Sequence, residues 1–322
     1  MVGGCKKKYL GIDLGGTNIA AGVVSDAYEV VGRKSVPTPK GGTGETLSDI
    51  MAQLVRNLLA EQGLTLADIP WVGIGAPGYI DSALGINHFA GNLCGGLRED
   101  PMAAILECRL GIKAYLCNDA DAAAYGESVA GAAKGAARSM TITLGTGVGG
   151  GIILEGSGSF LVGEVGHTVI CQGGEDCSCG HKGCWEAYAS ATALIRQTKR
   201  AMEVSSQSAL WQVAGSLDGV NGKTAFDAKD LGDPVAAAVV DTYISYVACG
   251  LANLMNILEP QVVCIAGGIS AQGEKLLAPL REKVRREVFT PLVADKARIV
   301  RAALGDDAGI IGAALLGKYL AG

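Results

Sequence analysis

The amino-acid sequence predicts an α/β protein built twice over, with a mixed or parallel sheet in each half covered by helices on both faces and the two sheets facing across a cleft. Three observations predict it. Strand-like and helical segments alternate along the chain. A strand, glycine turn, strand outline at 9–24 recurs at 139–154, where Ile12-Asp13-Leu14-Gly15 lies over Ile142-Thr143-Leu144-Gly145 without a gap. A length of 322 residues is enough for two domains that each bury a core.

The elements follow in order. A first strand at 9–13 ends in Leu14-Gly15-Gly16-Thr17 and resumes at 19–24. A helical segment over 47–62 precedes a strand at 71–75 that ends in Ala76-Pro77-Gly78; a helix at 101–110 and a strand at 113–117 follow. The second half repeats the series: the glycine-turn pair at 139–154, a long helix at 233–258, a strand at 262–266 ending in Gly267-Gly268, a helix at 274–288 and a strand at 298–303. The expected division is an N-terminal α/β lobe of residues 1–118 and a larger lobe of 119–304, with a C-terminal helix at 305–322 packing back on the first. The long helix at 233–258 suits either a subunit interface or the core of its own domain.

Composition removes several classes of function. A hydrophobic fraction of 49% with 18% charged residues describes a globular chain, and its 48 glycines gather in short clusters. A net charge of −5 and a pI near 5.3 argue against gripping a polyanionic backbone, so nucleic acid is not an expected partner. Seven of the ten cysteines are scattered, mostly among apolar or small neighbours, as reduced cytosolic thiols are. The start of the chain lacks the apolar run of a signal peptide, and no later stretch offers about 18 uncharged apolar residues. The expectation is a cytoplasmic protein without a membrane partner.

Glycine turns at Gly15-Gly16-Thr17 and Gly145-Thr146-Gly147 allow backbone N–H groups to approach phosphate oxygens, with Thr17 and Thr146 adding hydroxyls. Either turn alone reads as an ordinary hairpin; both at matching places in a repeat read as a pair of phosphate loops. Neither has the P-loop spacing or opens the helix of a dinucleotide fold. Asp13 is suited to orient Mg²⁺ through water, or to form the turn. Asp119, behind the strand 113–117 and ahead of a helical run at 120–127, is either a helix N-cap or a general base at a sheet edge. Asn92, Asn118, Glu164, His167 and Glu186 complete a donor and acceptor set for a polyhydroxylated ligand.

His167, Cys177, Cys179 and Cys184 have the spacing H-x9-C-x-C-x4-C, with Gly180 and Gly183 placed to turn the sulfurs inward. One histidine and three thiols fill a tetrahedral zinc with no open position, so such a zinc is structural. Buried reduced thiols are the alternative. His167 is preferred over His181, which lies between the thiols in a glycine-rich turn.

Together, Asp13 to Thr17, Asn118-Asp119, Leu144 to Gly147, Gly163 to His167 and Cys177 to Glu186 resemble the ROK family of bacterial sugar kinases, and within it the glucokinases of Gram-positive bacteria. The resemblance covers essentially the whole chain. It implies the duplicated ATPase fold of actin, Hsp70 and hexokinase, a ribonuclease H-like architecture with two lobes around a central cleft. It implies ATP-dependent phosphorylation of a hexose at C6, with glucose first, N-acetylmannosamine, N-acetylglucosamine or allose as alternative sugars, and a non-catalytic sugar sensor as the alternative to a kinase. Asp119 is then the base. Asn92, Asn118, Glu164, His167 and Glu186 bind sugar. Asp13, Gly15, Gly16, Thr17, Gly145, Thr146 and Gly147 serve the phosphates, and Gly267 and Gly268 the adenosine. Mg²⁺ arrives with ATP, the zinc is structural, and a homo-oligomer, dimer or tetramer, is expected. The family also contains sugar-responsive repressors with a helix-turn-helix ahead of the first glycine loop; only twelve residues precede Asp13 here. Departures from the family pattern are a shorter segment at 152–162, the absence of tryptophan after Asn92-Leu93, and Asp121 and Asp306 in place of asparagine.

Overall fold

The computed structural model describes residues 7–91, 93, 95–154, 159–161 and 163–320. The chain divides into two compact units. The first comprises Met1–Gly135, Gly151–Leu161 and Ala303–Gly322; the second comprises Ala136–Gly150 and Val162–Ala302. Residue 118, the expected boundary, lies within the first unit.

In the first unit β1 (Lys8–Leu14) and β2 (Asn18–Ser25) form a hairpin across the first glycine turn, and β3 (Val30–Pro37) pairs antiparallel with β2. The helix α1 (Gly44–Glu61) starts at a capping box made by Thr43 and Thr46, and buries Leu47, Met51, Leu54, Val55 and Leu58 along one face. β4 (Val72–Ala76) then runs parallel to β1. A small sheet of β5 (Tyr79–Asp81), β6 (Ile86–Ala90) and β7 (Leu97–Asp100) intervenes before α2 (Met102–Leu110), β8 (Ala114–Asn118) and α3 (Asp119–Val129). The main sheet has the order β3-β2-β1-β4-β8.

The second half supplies β9 (Arg138–Leu144), β10 (Val148–Leu154) and β11 (Ser159–Leu161). Short helices α4 (Glu186–Ala189), α5 (Ala191–Val204), α6 (Ala209–Ala214) and α7 (Thr224–Asp230) lead to the long α8 (Pro234–Leu258). The series closes with β12 (Val262–Ala266), α9 (Glu274–Glu287), α10 (Pro291–Asp295) and β13 (Arg298–Arg301), before α11 (Ala308–Leu320) joins the first unit. This sheet has the order β11-β10-β9-β12-β13. It repeats the first in order. β12 runs parallel to β9 and β13 as β4 does to β1 and β8, and β10 runs antiparallel to β11 as β2 does to β3. The register matches, with Ile12 opposite Ile74 as Ile142 is opposite Ile265.

The period-2 alternation of β1 explains what covers each face of the first sheet. Leu10, Ile12 and Leu14 point into the core shared with α1 and α2, whereas Tyr9 packs in a second core with Ile310, Ile311 and Ala314 of α11. On that second face Gly11 has no side chain to hold α11 away; a Cβ there would lie 2.0 Å from the Ile310 carbonyl. Asp13 follows on the same face.

α8 begins at Asp233, whose carboxylate accepts the N–H groups of Val235 and Ala236, with Pro234 at the first helical position. The helix is long and apolar enough to cross a bilayer, but 56% of its apolar window is buried in the protein. Asp241 interrupts it, and α4, α5, α7 and α9 pack against it. A core helix accounts for its composition.

Candidate functional site

The residues singled out by sequence fall into one group in each unit; Asn92 lies outside the described residues. The first unit carries Asp13, Gly15, Gly16, Thr17, Asn118 and Asp119. The second carries Gly145, Thr146, Gly147, Glu164, His167, Cys177, Cys179, Cys184, Glu186, Gly267 and Gly268.

In the first unit Asp13 and Asp119 stand near the C-terminal ends of the parallel strands β1 and β8, where open α/β sheets gather their ligands. The structure decides which residue caps α3. Asn118 has extended backbone (φ −64°, ψ 146°) and its side chain accepts the Ala120 N–H at 2.8 Å, so Asn118 is the N-cap and Asp119 is the first helical residue. The Asn118 amide also donates to the Gly78 carbonyl at 3.1 Å, and Asn87, fully buried, donates to Pro77 O at 3.1 Å. These two asparagines hold the Ala76-Pro77-Gly78 loop. Asn87 gave no signal in the sequence, since an isolated asparagine in a short strand matches no motif. The first glycine turn is fastened by Thr38, whose N–H reaches Thr17 O and whose hydroxyl donates to Gly15 O at 2.6 Å. Gly16 and Thr17 are left exposed.

Asp13 is the electrostatic centre of this group. Burial, then the negative charges of Asp119 and Asp306, push its carboxyl up to about 6 against the pull of Arg33. Because the native pKa exceeds the unfolded value, the folded state binds the extra proton between about pH 4 and pH 6, and stability contributed by Asp13 is lost as pH rises through that window. Asp13→Asn is therefore expected to stabilise the protein above pH 7 by on the order of 2 kcal/mol, an advantage that disappears near pH 4. Thermal denaturation of both proteins at the two pH values checks it. A divalent cation opposite these carboxylates would relieve the same repulsion.

In the second unit the Gly145–Gly147 turn is closed by Gly145 N–H on Gly147 O at 3.0 Å, and the entry to α5 pins its carbonyls: Ala191 N–H meets Gly145 O and the Thr192 hydroxyl meets Thr146 O, each at 2.8 Å. Gly267 has φ 82°, and a Cβ on it would lie 2.5 Å from Leu144 O, so the Gly267-Gly268 turn sits directly against the strand that feeds the glycine loop. Gly147 is tight for a different reason. A Cβ there would lie 2.2 Å from Glu186 Oε2, the atom that accepts the Val148 N–H at 3.0 Å. Glu186 thus faces the loop with one oxygen and accepts the Ser178 hydroxyl at 2.9 Å with the other. Glu164 is exposed, at the entry of the 3-10 turn Val165–His167.

His167, Cys177, Cys179 and Cys184 converge, with their ligand atoms all within 4.8 Å of one another. Cys179 and Cys184 Sγ are 3.7 Å apart, close to the edge of a tetrahedron with metal–sulfur bonds of about 2.3 Å. His167 turns Nδ1 toward Cys177 at 3.5 Å. Gly180 and Gly183 both have positive φ, as expected of turns that point thiols inward; at Gly183 a Cβ would overlap Cys171 O. The backbone hydrogen bond to His181 draws Cys179 down to about 6, while burial pushes Cys184 up to about 12. His181 is exposed, with Nδ1 3.5 Å from Cys179 Sγ, and stands outside the converging four. The donor set and spacing fit zinc. The adjoining Trp185 is fully buried, donates to Tyr246 O at 2.8 Å and lies against Gly250, which anchors the knuckle on α8.

The pattern of the ROK family matches residues 9–319. The chain belongs to the ROK family. It is 37% identical to a glucokinase of Thermotoga maritima over 320 residues, 97% of this chain and 98% of the relative. It is 36% identical to a glucokinase of Halalkalibacterium halodurans over 315 residues, 96% of this chain and 94% of the relative. The crystal structure of a ROK family glucokinase from Streptomyces griseus in complex with glucose and AMPPNP superposes with a TM-score of 0.81 at 37% identity, covering 96% of this chain and 98% of that one. The repeated sheets are accordingly those of the duplicated α/β ATPase fold of ROK kinases.

Proposed function

We propose that this chain transfers the γ-phosphoryl group of Mg-ATP to the C6 hydroxyl of glucose, giving glucose 6-phosphate and ADP. The observation that carries the reading is the pairing of two carboxylates at the ends of neighbouring strands: Asp119 opens α3 directly behind the Asn118 cap at the end of β8, and its charge is felt by Asp13 at the end of β1. Near-full-length identity to glucokinases supports the sugar.

In this reading Asp119 accepts the C6 hydroxyl proton as the oxygen attacks phosphorus and the bond to the ADP oxygen breaks. Asp13 orients the Mg²⁺ that accompanies ATP, and the loops Gly15–Thr17 and Gly145–Gly147 offer N–H and hydroxyl donors to its phosphates. Gly267 and Gly268 lie along the adenosine. Asn92, Asn118, Glu164, His167 and Glu186 hold the remaining sugar hydroxyls. A zinc on His167, Cys177, Cys179 and Cys184 supplies rigidity, and the Ser178 hydroxyl links that knuckle to Glu186.

A coupled ADP-release assay with glucose, N-acetylmannosamine, N-acetylglucosamine, allose, mannose and fructose tests the proposal. Preference for glucose supports it. Preference for another sugar keeps the chemistry and moves attention to residues 152–162, and silence across the panel overturns the enzyme reading. Gly147→Ala is expected to lower kcat/KM for Mg-ATP by about 100-fold, because the added methyl displaces both the phosphate loop and Glu186; steady-state kinetics with varied Mg-ATP reads it.

A further inference from the structure

Glu127 belongs to none of the motifs, yet it is a carboxylate with no exposed surface in the last turn of α3. Its partners are backbone N–H groups. Oε2 accepts from Ala132 at 2.8 Å and from Ala303 at 3.1 Å, and Oε1 accepts from Leu304 at 2.8 Å. Burying a carboxylate is costly unless such donors repay the lost hydration, and three converging N–H groups do so.

The segment it grips leads straight to Asp13. Leu304 opens the 3-10 turn Gly305–Asp307, which holds Asp306, one of the charges that act on Asp13. The next residues start α11, where Gly309 faces Asp13 so closely that a Cβ would lie 3.2 Å from its carboxylate. α3 and α11 touch backbone to backbone beside Glu127: a Cβ on Gly126 would lie 2.3 Å from Ala308 O, and one on Gly312 would lie 1.7 Å from Ala122 O. The other end of α3 begins with Asp119. One buried side chain therefore fastens the end of the helix that starts at Asp119 to the start of the helix that abuts Asp13.

We propose that Glu127 is a positioning residue for phosphoryl transfer, fixing residues 303–309 against Asp13 so that this carboxylate is set for the Mg²⁺ of Mg-ATP. The inference rests on the kinase reading given above. It makes a demand that a role in stability alone does not: perturbing Glu127 should move the handling of Mg-ATP and leave glucose binding almost untouched.

The test uses Glu127→Gln, in which an amide N–H₂ must face a backbone N–H, and Gly131→Ala, whose Cβ would lie 2.0 Å from Glu127 Oε2 and displace the carboxylate without removing it. Glu127→Gln is expected to raise the KM for Mg-ATP about tenfold with the KM for glucose within about twofold, and Gly131→Ala to do the same to a smaller extent. Calorimetric titration with Mg-AMPPNP gives the same comparison without turnover, and Gly131→Ala carries the test where Glu127→Gln does not fold. A lowered Tm with both KM values unchanged overturns the proposal, as does a parallel rise in both. Failure of the kinase reading shows separately, as a wild-type protein silent across the sugar panel.

Discussion

Asp119→Asn is expected to lower kcat about 1,000-fold while the Kd for glucose stays within about twofold. Asparagine keeps the shape of aspartate and the acceptor that meets Ala120 N–H at 2.9 Å, and Asn118 continues to cap α3. A residue whose work is structural would tolerate the change with little loss. A general base would not, because the amide cannot take the hydroxyl proton. The substitution also removes the negative charge that, together with burial, holds the Asp13 carboxyl up, so Asp13 should ionise at lower pH in the variant. That prevents the loss from being blamed on a protonated Asp13. Equilibrium glucose binding, followed by initial rates at saturating sugar and Mg-ATP, separates the two effects. A variant with near-normal kcat would refute Asp119 as the base.

The repeat was legible because it is carried by register. The gapless overlay of residues 12–15 on 142–145 implies that equivalent residues meet equivalent neighbours, and Ile12 opposite Ile74 and Ile142 opposite Ile265 bear this out. The convergence of His167, Cys177, Cys179 and Cys184 was legible because these four side chains and two turn glycines lie within a short segment, so local spacing defines the geometry. The cap of α3 was not. Asn118 and Asp119 are both good capping residues, and only the backbone angle at Asn118 separates them. The small sheet of β5, β6 and β7 was missed because its strands run three to five residues among glycines, too short to show an alternation. Glu127 was invisible for a different reason. It stands in an alanine-rich helix where glutamate is commonplace, and its partner Leu304 is 177 residues away in sequence. Long-range backbone donors leave no mark on local composition.

One zinc per chain is expected, and Cys179→Ser should deplete it, with a loss of about 3 kcal/mol and a fall in Tm on the order of 10 °C. The loss should be smaller than the ~10–16 kcal/mol of an isolated zinc finger, because the second unit has a core of its own around Met140, Ile142, Val263 and Leu251. What the metal opposes is local. Two thiols held 3.7 Å apart beside a third thiol and an imidazole gain little from one another without a cation between them. Released, the knuckle would remain tethered by Trp185 on α8 but would lose control of Ser178 and hence of Glu186. Activity should therefore fall through a raised KM for glucose before the unit melts. His181→Ala is the matching control, with zinc content and Tm close to wild type, since its exposed ring stands outside the converging ligands. Metal analysis, thermal denaturation and glucose kinetics on the wild type, Cys179→Ser, His181→Ala and His167→Ala decide the matter: full activity in a demonstrably metal-free chain would sink the structural role, and zinc lost from His181→Ala but kept by His167→Ala would reassign the fourth ligand.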